Sequence, residues 1–416
     1  MRCEFMQAEL KRGGAEPWLT VVGIGEDGVA GLGEEAKRRI ASASTVFGGR
    51  RHLALVEPIL KGAMRPWPSP FDPELRDVLA LAGTSVCVVA SGDPMFFGVG
   101  ATLAGKVAAG EMLVLPAPSA FSLAAARLGW PLHDVDEVSL HGRSIDLVRP
   151  LLHPGRRVVA LTSDADGPPA LARLLTSLGF GASRLTVLEA LGGPAERMRS
   201  AQAQTLRMDG ISPLNVVAIE VEAAPGARVL PRAAGLPDGL FEHDGQITKR
   251  EIRALTLSAL APRRGELLWD IGAGSGSISI EWMLADPSLG AIAIESAPER
   301  ARRIGRNAGA CGVPGLTIIE GSAPEALHGL PRPDAIFIGG GGTTAGVLDL
   351  ALDVLRPAGR LVANAVTLEM EMLLLERHAA VGGELVRIAI AREAAVGSRK
   401  AWRPAMPVTQ WIWTRP

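Results

Sequence analysis

The stretch Leu267–Trp282, LLWDIGAGSGSISIEW, constrains this 416-residue chain more than any other. Three apolar residues lead into Asp270, glycines follow at alternate positions (Gly272, Gly274, Gly276), and an apolar run then resumes. That order is a buried strand, a tight loop and a helix start. Glycine carries no Cβ, so a ligand can approach bare backbone. The helix N-terminus behind the loop offers unpaired N–H groups. A dinucleotide fingerprint needs its third glycine at position 277, where this chain has Ser277. A second acid follows: the apolar strand Ala291–Ile294 ends in Glu295, 19 residues beyond Gly276. That is near the separation at which an acid meets ribose hydroxyls after a βαβ unit. An ordinary glycine turn beside a solvated glutamate is the competing reading, and it leaves the ordered combination of loop and acids unexplained.

The length allows two or three domains. A net charge of −1 and a 47% hydrophobic composition describe a globular protein and exclude an overall basic nucleic-acid binder. Cys3, Cys87 and Cys311 are scattered without metal-ligand spacing, which predicts no metal site and fits a reducing cytoplasm. The mixed-charge N-terminus lacks the apolar run of a signal peptide. The uncharged runs are broken by Pro or Gly, short of a membrane span. There is no tyrosine, so no Tyr serves as acid or base.

Residues 1–16 read as a loose arm. Strands are expected at Trp18–Gly23, Ser85–Ala90, Leu113–Leu115, Val158–Asp164, Arg184–Leu191 and Leu214–Val221, with helices at Glu34–Ser42, from Ser119, and at Pro169–Gly179. Residues 223–240, AAPGARVLPRAAGLPDGL, are rich in Pro and Gly and lack periodicity, so they read as a linker. The expected domains are therefore 17–222 and 241–416. In the second, Thr248-x-x-Glu251 and Ser296-x-x-Glu299 have the form of capping boxes, and Gly312 closes the second helix. Strands at Leu316–Glu320, Asp334–Ile338 and Arg360–Ala365 continue a βα alternation. Glu384–Ala391 and Val408–Trp413 form a closing antiparallel pair, giving seven strands with an antiparallel final edge.

D-x-G-x-G-x-G followed by an acid resembles class I methyltransferases, which bind S-adenosylmethionine. In the first half, GIGEDG (Gly23–Gly28), SGDPMFFGVG (Ser91–Gly100), PAPSAFSLAAARLG (Pro116–Gly129), VSLHGR (Val138–Arg143) and PLNVVAIE (Pro213–Glu220) occur in order and together resemble the tetrapyrrole methylases. DGQITKREIRALTLSAL (Asp244–Leu260), GSAPEAL (Gly321–Leu327) and FIGGGG (Phe337–Gly342) make the second half similar to the corrin-pathway methyltransferases that also decarboxylate an acetate. These resemblances imply an α/β chain: an N-terminal two-lobed tetrapyrrole methylase (class III) fold and a C-terminal seven-stranded Rossmann-like class I domain. They imply one S-adenosylmethionine site per domain. In the first, contacts would come from Asp93, Ser119, Ala120, Thr162, Leu214 and Asn215. In the second they would come from Gln246, Thr248, Asp270, Gly272, Gly274, Gly276, Glu295 and Ala323, with Asp270 toward the ammonium group and Glu295 toward ribose. They also imply a polycarboxylate tetrapyrrole substrate, a homo-oligomer, and no nucleic-acid or membrane partner. The implied chemistry is methylation of meso carbons C5 and C15 with loss of the C12 acetate carboxyl group.

Methyl transfer from a sulfonium needs positioning more than a protein nucleophile, which fits a chain without an evident triad. Lys249, Arg250, Arg253, Arg399 and Lys400 are candidates for holding substrate carboxylates. For each, a solvated helix face or hairpin tip is the competing reading. His141 is a candidate proton carrier or a structural hydrogen-bonding group. Glu369 and Glu371 follow the fifth strand and face either the acceptor or solvent, and His243 lies at the linker's end. Three alternatives stay open: a cobalt-containing acceptor, a chain with one active domain, and a binding module with a decayed site. A nicotinamide-dependent oxidoreductase is disfavoured by Asp270 and Ser277.

Overall fold

The computed structural model describes residues 16–416; the arm expected at residues 1–16 lies almost wholly outside them. The chain forms two units, residues 16–143 with 153–227, and residues 144–152 with 228–416.

The first unit holds two five-stranded sheets. β1 (Leu19–Ile24), β2 (Thr45–Gly48), β3 (Ala63–Pro66), β4 (Val86–Ser91) and β5 (Met112–Leu115) form a parallel sheet ordered β3-β2-β4-β1-β5. β1, β2 and β4 are continuous apolar runs because helices cover both faces. β6 (Val135–Ser139), β7 (Arg157–Leu161), β8 (Arg184–Glu189), β9 (Arg197–Gln202) and β10 (Asn215–Glu220) form a mixed sheet ordered β6-β7-β10-β8-β9. Only β6 and β7 run parallel in it. The helix Glu34–Ser42 has the expected bounds. Ser119 caps the helix Ala120–Leu128 by accepting from Ser122 N–H at 3.1 Å.

The second unit is built on β11 (Leu267–Ile271), β12 (Gly290–Glu295), β13 (Thr317–Glu320), β14 (Ala335–Ile338), β15 (Arg360–Ala365), β16 (Glu384–Ile388) and, after the hairpin β17 (Ala391–Val396) and β18 (Arg399–Pro404), β19 (Val408–Thr414). The seven-stranded order is β13-β12-β11-β14-β15-β19-β16. β19 is antiparallel to both β15 and β16. The antiparallel strand is therefore one place in from the edge, not at it: β19, with Val408–Trp411 all buried, takes the inner position, and β16, with one buried residue, takes the edge. Trp269, Trp282 and Trp411 are fully buried, and each indole N–H donates to a backbone carbonyl at 3.0–3.1 Å. Burial of an aromatic indole stabilises only when that donor is paired.

Three local readings change. Residues 228–240, read as linker from composition, pack into the second unit. Leu230 and Leu236 are buried, and the backbone N–H groups of Gly235 and Leu236 donate to Glu281 at 2.7 and 3.0 Å. Proline and glycine mark irregular backbone here, not exposed backbone. Neither capping box forms. The first helix begins at Arg250, with Lys249 as its uncapped N-terminal flank, because Arg253 pulls the Thr248 carbonyl into its own hydrogen-bond set. The second begins at Pro298, because Glu295 accepts from Ala297 N–H at 3.0 Å and proline suits the first helical position.

Candidate methyl-donor sites

A cavity of about 770 Å³ opens in the second unit at the carboxyl ends of β11, β12, β14 and β15, where ligands bind in open α/β sheets. Gly272 and Gly274 lie on its floor, both with positive φ. A Cβ on Gly272 would sit 2.5 Å from the Gly340 carbonyl oxygen, so the glycine loop and the FIGGGG loop meet backbone to backbone. Gly276 lies behind them: its φ is +76°, and a Cβ there would meet Ile304 at 2.7 Å. It lets the helix Ser277–Ala285 start against its neighbour and does not line the cavity.

Two carboxylates organise this loop. Glu295 lines the cavity, and its Oε2 accepts from Gly274 N–H at 2.8 Å. Asp270 is buried below the loop, outside the cavity wall. Its Oδ2 accepts from the N–H and hydroxyl of Ser279 at 3.1 and 2.6 Å, while Oδ1 is buried without a partner. Burial pushes the Asp270 carboxyl up to about 6, against the Ser279 hydrogen bonds. Asp270 thus fixes the loop onto the helix; the expected direct place beside an ammonium group is not where the side chain lies.

Gln246, Thr248, Lys249 and Ala323 line the same cavity. Asp244 holds the Gln246 backbone in place by accepting its N–H at 3.1 Å, and is itself anchored by Arg300 and Arg303. Those arginines hold the Asp244 carboxyl well below the usual range. Arg253 is no substrate ligand. It is fully buried, paired with Glu281 at 2.5 Å and Asp238 at 3.1 Å, and bonded to the carbonyls of Thr248 and Leu236. Arg250 is exposed outside the cavity wall. Arg399 and Lys400 sit on the exposed β17–β18 hairpin, Lys400 paired with Glu393 at 2.8 Å. Glu369 is exposed away from the cavity, and Glu371 is paired with Arg387. His243 accepts from Gly245 N–H. Arg300, Thr344, Asn364 and Arg392 also line the cavity and escaped the sequence reading.

In the first unit the loops after β1, β4 and β5 converge. A Cβ on Gly23 would overlap the Gly92 carbonyl at 1.9 Å, and Gly92 packs on Ser119. This brings Asp93 beside Ser119 and Ala120. Asp93 accepts from Met95 N–H at 2.9 Å. In the other sheet, Thr162 donates to Asn215, whose amide donates to the carbonyls of Asp164 and Ser212. Leu214 accepts from Ala190 N–H at 3.0 Å. His141 is exposed, its Nδ1 3.4 Å from the Thr162 carbonyl. Arg51, His52 and Ser91, absent from the sequence reading, form a mutual contact at the ends of β2 and β4, with distances of 2.7–2.8 Å. Arginine nitrogen only donates, so the His52 Nε2 facing it carries a lone pair and the imidazole is neutral. Burial and the Arg51 charge pull His52 down to about 4.

A seven-stranded sheet with a glycine loop and a ribose-spaced acid defines a class I methyltransferase unit, here in one chain with a two-sheet α/β unit. Residues 239–415 match the precorrin methyltransferase domain family, and residues 19–207 match the tetrapyrrole (corrin/porphyrin) methylases. The chain is 63% identical over 96% of its length to the precorrin-6Y C(5,15)-methyltransferase [decarboxylating] of Sinorhizobium sp, covering 97% of that protein. It is 36% identical over 39% of its length to the cobalt-precorrin-6B C(15)-methyltransferase (decarboxylating) of Salmonella typhimurium, covering 85% of it. The crystal structure of the C-terminal domain of precorrin-6Y C5,15-methyltransferase from Rhodobacter capsulatus is 49% identical over 45% of this chain and 100% of that one, with a TM-score of 0.43. The chain belongs to the precorrin-6Y C(5,15)-methyltransferase (decarboxylating) family. It is an S-adenosylmethionine-dependent C-methyltransferase of cobalamin biosynthesis, acting on tetrapyrroles. Among the described residues no helix is long and apolar enough to cross a membrane.

Proposed function

We propose that the chain methylates C5 and C15 of precorrin-6B and removes the C12 acetate carboxyl group, each unit holding its own S-adenosylmethionine. The cavity of the second unit carries this reading. Its volume lies within the range of small-molecule sites, and its floor pairs two glycine loops with Glu295. That carboxylate, oriented by Gly274 N–H, has lone pairs left to accept from ribose hydroxyls. S-adenosylmethionine supplies the methyl group. The protein holds the acceptor carbon in line with it and keeps water out. Lys249 lines the cavity and holds a peripheral carboxylate, while Arg392 lines it paired with Glu251.

In the first unit, Asp93, Ser119, Ala120, Thr162 and Leu214 bound the donor site by their backbone groups, and C5 is the carbon methylated there. The assignment of C15 and decarboxylation to the second unit follows its likeness to the relative named for C15 alone. That same likeness is what favours a cobalt-containing acceptor as a second reading; the 63% identity to a fused precorrin-6Y enzyme favours the cobalt-free one. A homo-oligomer in the cytoplasm completes the proposal. Mass spectrometry of products from precorrin-6B and S-adenosylmethionine tests it: the account expects two methyl groups gained and one CO₂ lost. Absence of turnover with precorrin-6B, alongside turnover of its cobalt complex, would move the chain to the second reading.

A further inference from the structure

Asn364, at the carboxyl end of β15, lines the cavity of the second unit. Its Nδ2 donates to Thr256 Oγ1 at 3.0 Å and its Oδ1 accepts from Gln410 Nε2 at 2.9 Å. Gln410 also donates to Thr256 Oγ1 at 3.2 Å. Thr256 and Gln410 are buried, one on the helix Arg250–Leu260 and one on β19. Three polar side chains brought into a core from distant parts of a chain cost stability relative to apolar packing unless fully paired. What this network achieves is one amide held in a fixed orientation. That amide keeps one N–H and one carbonyl lone pair uncommitted. Phe337, Val366, Ile388 and Val408 are among the apolar residues that line the same cavity, and Lys249, Glu251 and Arg392 are among its charged ones.

A neutral, oriented donor suits one step of the proposed chemistry. In decarboxylation the bond from the acetate methylene to the carboxyl carbon breaks. Its electron pair enters the conjugated ring, CO₂ leaves neutral, and the methylene carbon takes a proton from water. Negative charge therefore leaves the carboxylate in the transition state. A cation paired with that group would stabilise the ground state more than the transition state and slow the step. A neutral amide orients the carboxylate at a smaller ground-state cost. Resting on the reading of this cavity as the acceptor site, we propose that Asn364 binds the carboxylate that leaves, and that Lys249 holds a carboxylate that stays. Thr256 and Gln410 are positioning residues for the Asn364 amide.

The test uses the full chain with precorrin-6B and S-adenosylmethionine, counting methyl groups and CO₂ loss separately by mass spectrometry. Asn364→Ala is expected to slow decarboxylation about tenfold or more, so that a methylated product still carrying its carboxyl group accumulates. S-adenosylhomocysteine affinity of the second unit stays unchanged. Asn364→Asp, which keeps the shape, places a like charge against the carboxylate and is expected to weaken its binding, raising the KM for decarboxylation. Thr256→Val gives an intermediate loss, and Thr256→Ser restores the rate. Lys249→Ala lowers methylation and decarboxylation together. Wild-type decarboxylation in Asn364→Ala, or an equal fall in both reactions, overturns the assignment. A wild-type chain that turns over neither precorrin-6B nor its cobalt complex overturns the reading of the cavity itself and the assignment with it.

Discussion

In the second unit, carboxylates organise the candidate donor site: Glu295 grips Gly274 N–H from the cavity side and Asp270 grips Ser279 from below. In the first unit the corresponding edge is made of converging backbone. Gly23, Gly92 and Ala117 meet main chain to main chain, Thr162 and Asn215 tie each other, and Asp93 closes its own turn. Side-chain acids leave a sequence signature with a physical meaning at each position. Backbone packing leaves only glycines, whose meaning depends on what lies opposite. The two sites therefore respond differently to substitution, and that difference can be pressed.

The largest effect concerns Arg253. Removing a fully buried guanidinium leaves Glu281 uncompensated, so Arg253→Ala should cost the second unit about 3–5 kcal/mol. Arg250→Ala, on the exposed face, should change stability by less than about 0.5 kcal/mol. Denaturant unfolding of the full chain reads both, and similar values for the pair would return Arg253 to the list of surface cations.

Next come opposite pH slopes. Asp270 has a folded pKa of about 6 against 3.8. Its folded form holds the extra proton, so its contribution is full below pH 4 and falls by about 3 kcal/mol as pH rises through 6. His52 has a folded pKa of about 4 against 6.5. Its contribution is full above 6.5 and falls by about 3 kcal/mol as pH drops through 4. Between pH 4 and 6 the second unit thus weakens upward and the first weakens downward. Asp270→Asn should flatten one slope and His52→Gln the other. Parallel slopes in the two units would contradict both assignments.

Glu295→Ala should weaken S-adenosylhomocysteine binding in the second unit by roughly 10–100-fold, the scale of a charge-assisted hydrogen bond, and leave the first unit unchanged. Asp93→Ala should stop one methylation and spare the other. Loss of both methylations in either variant would mean the sites are coupled. The smallest effect is expected at the hairpin: Arg399→Ala and Lys400→Ala should leave turnover within twofold, since neither lines the cavity.

Much of this was legible from residues. The glycine loop, Glu295, the helix Glu34–Ser42 and most inner strands follow from periodicity and turn chemistry. In the first unit β2, β3, β6 and β9 did not: β3, β6 and β9 are edge strands, and one as exposed as Arg197–Gln202 buries too little to need an apolar pattern, while the buried β2 is only four residues long. The Thr248 box satisfied a local rule and lost to a tertiary one, the Arg253 guanidinium competing for the Thr248 carbonyl. Asn364 and Arg392 reach the cavity from β15 and the β17–β18 hairpin. Strand order in the seven-stranded sheet brings Asn364 to Glu295's cavity, the separate hairpin brings Arg392, and no local spacing encodes either.

The most direct test of the central claim, two separate donor sites in one chain, is calorimetric titration of the full protein with S-adenosylhomocysteine. The account predicts two equivalents bound per chain and one equivalent for Glu295→Ala at concentrations that saturate only the intact site. One equivalent in the wild type, abolished by Glu295→Ala, would contradict it and leave the first unit without a donor site.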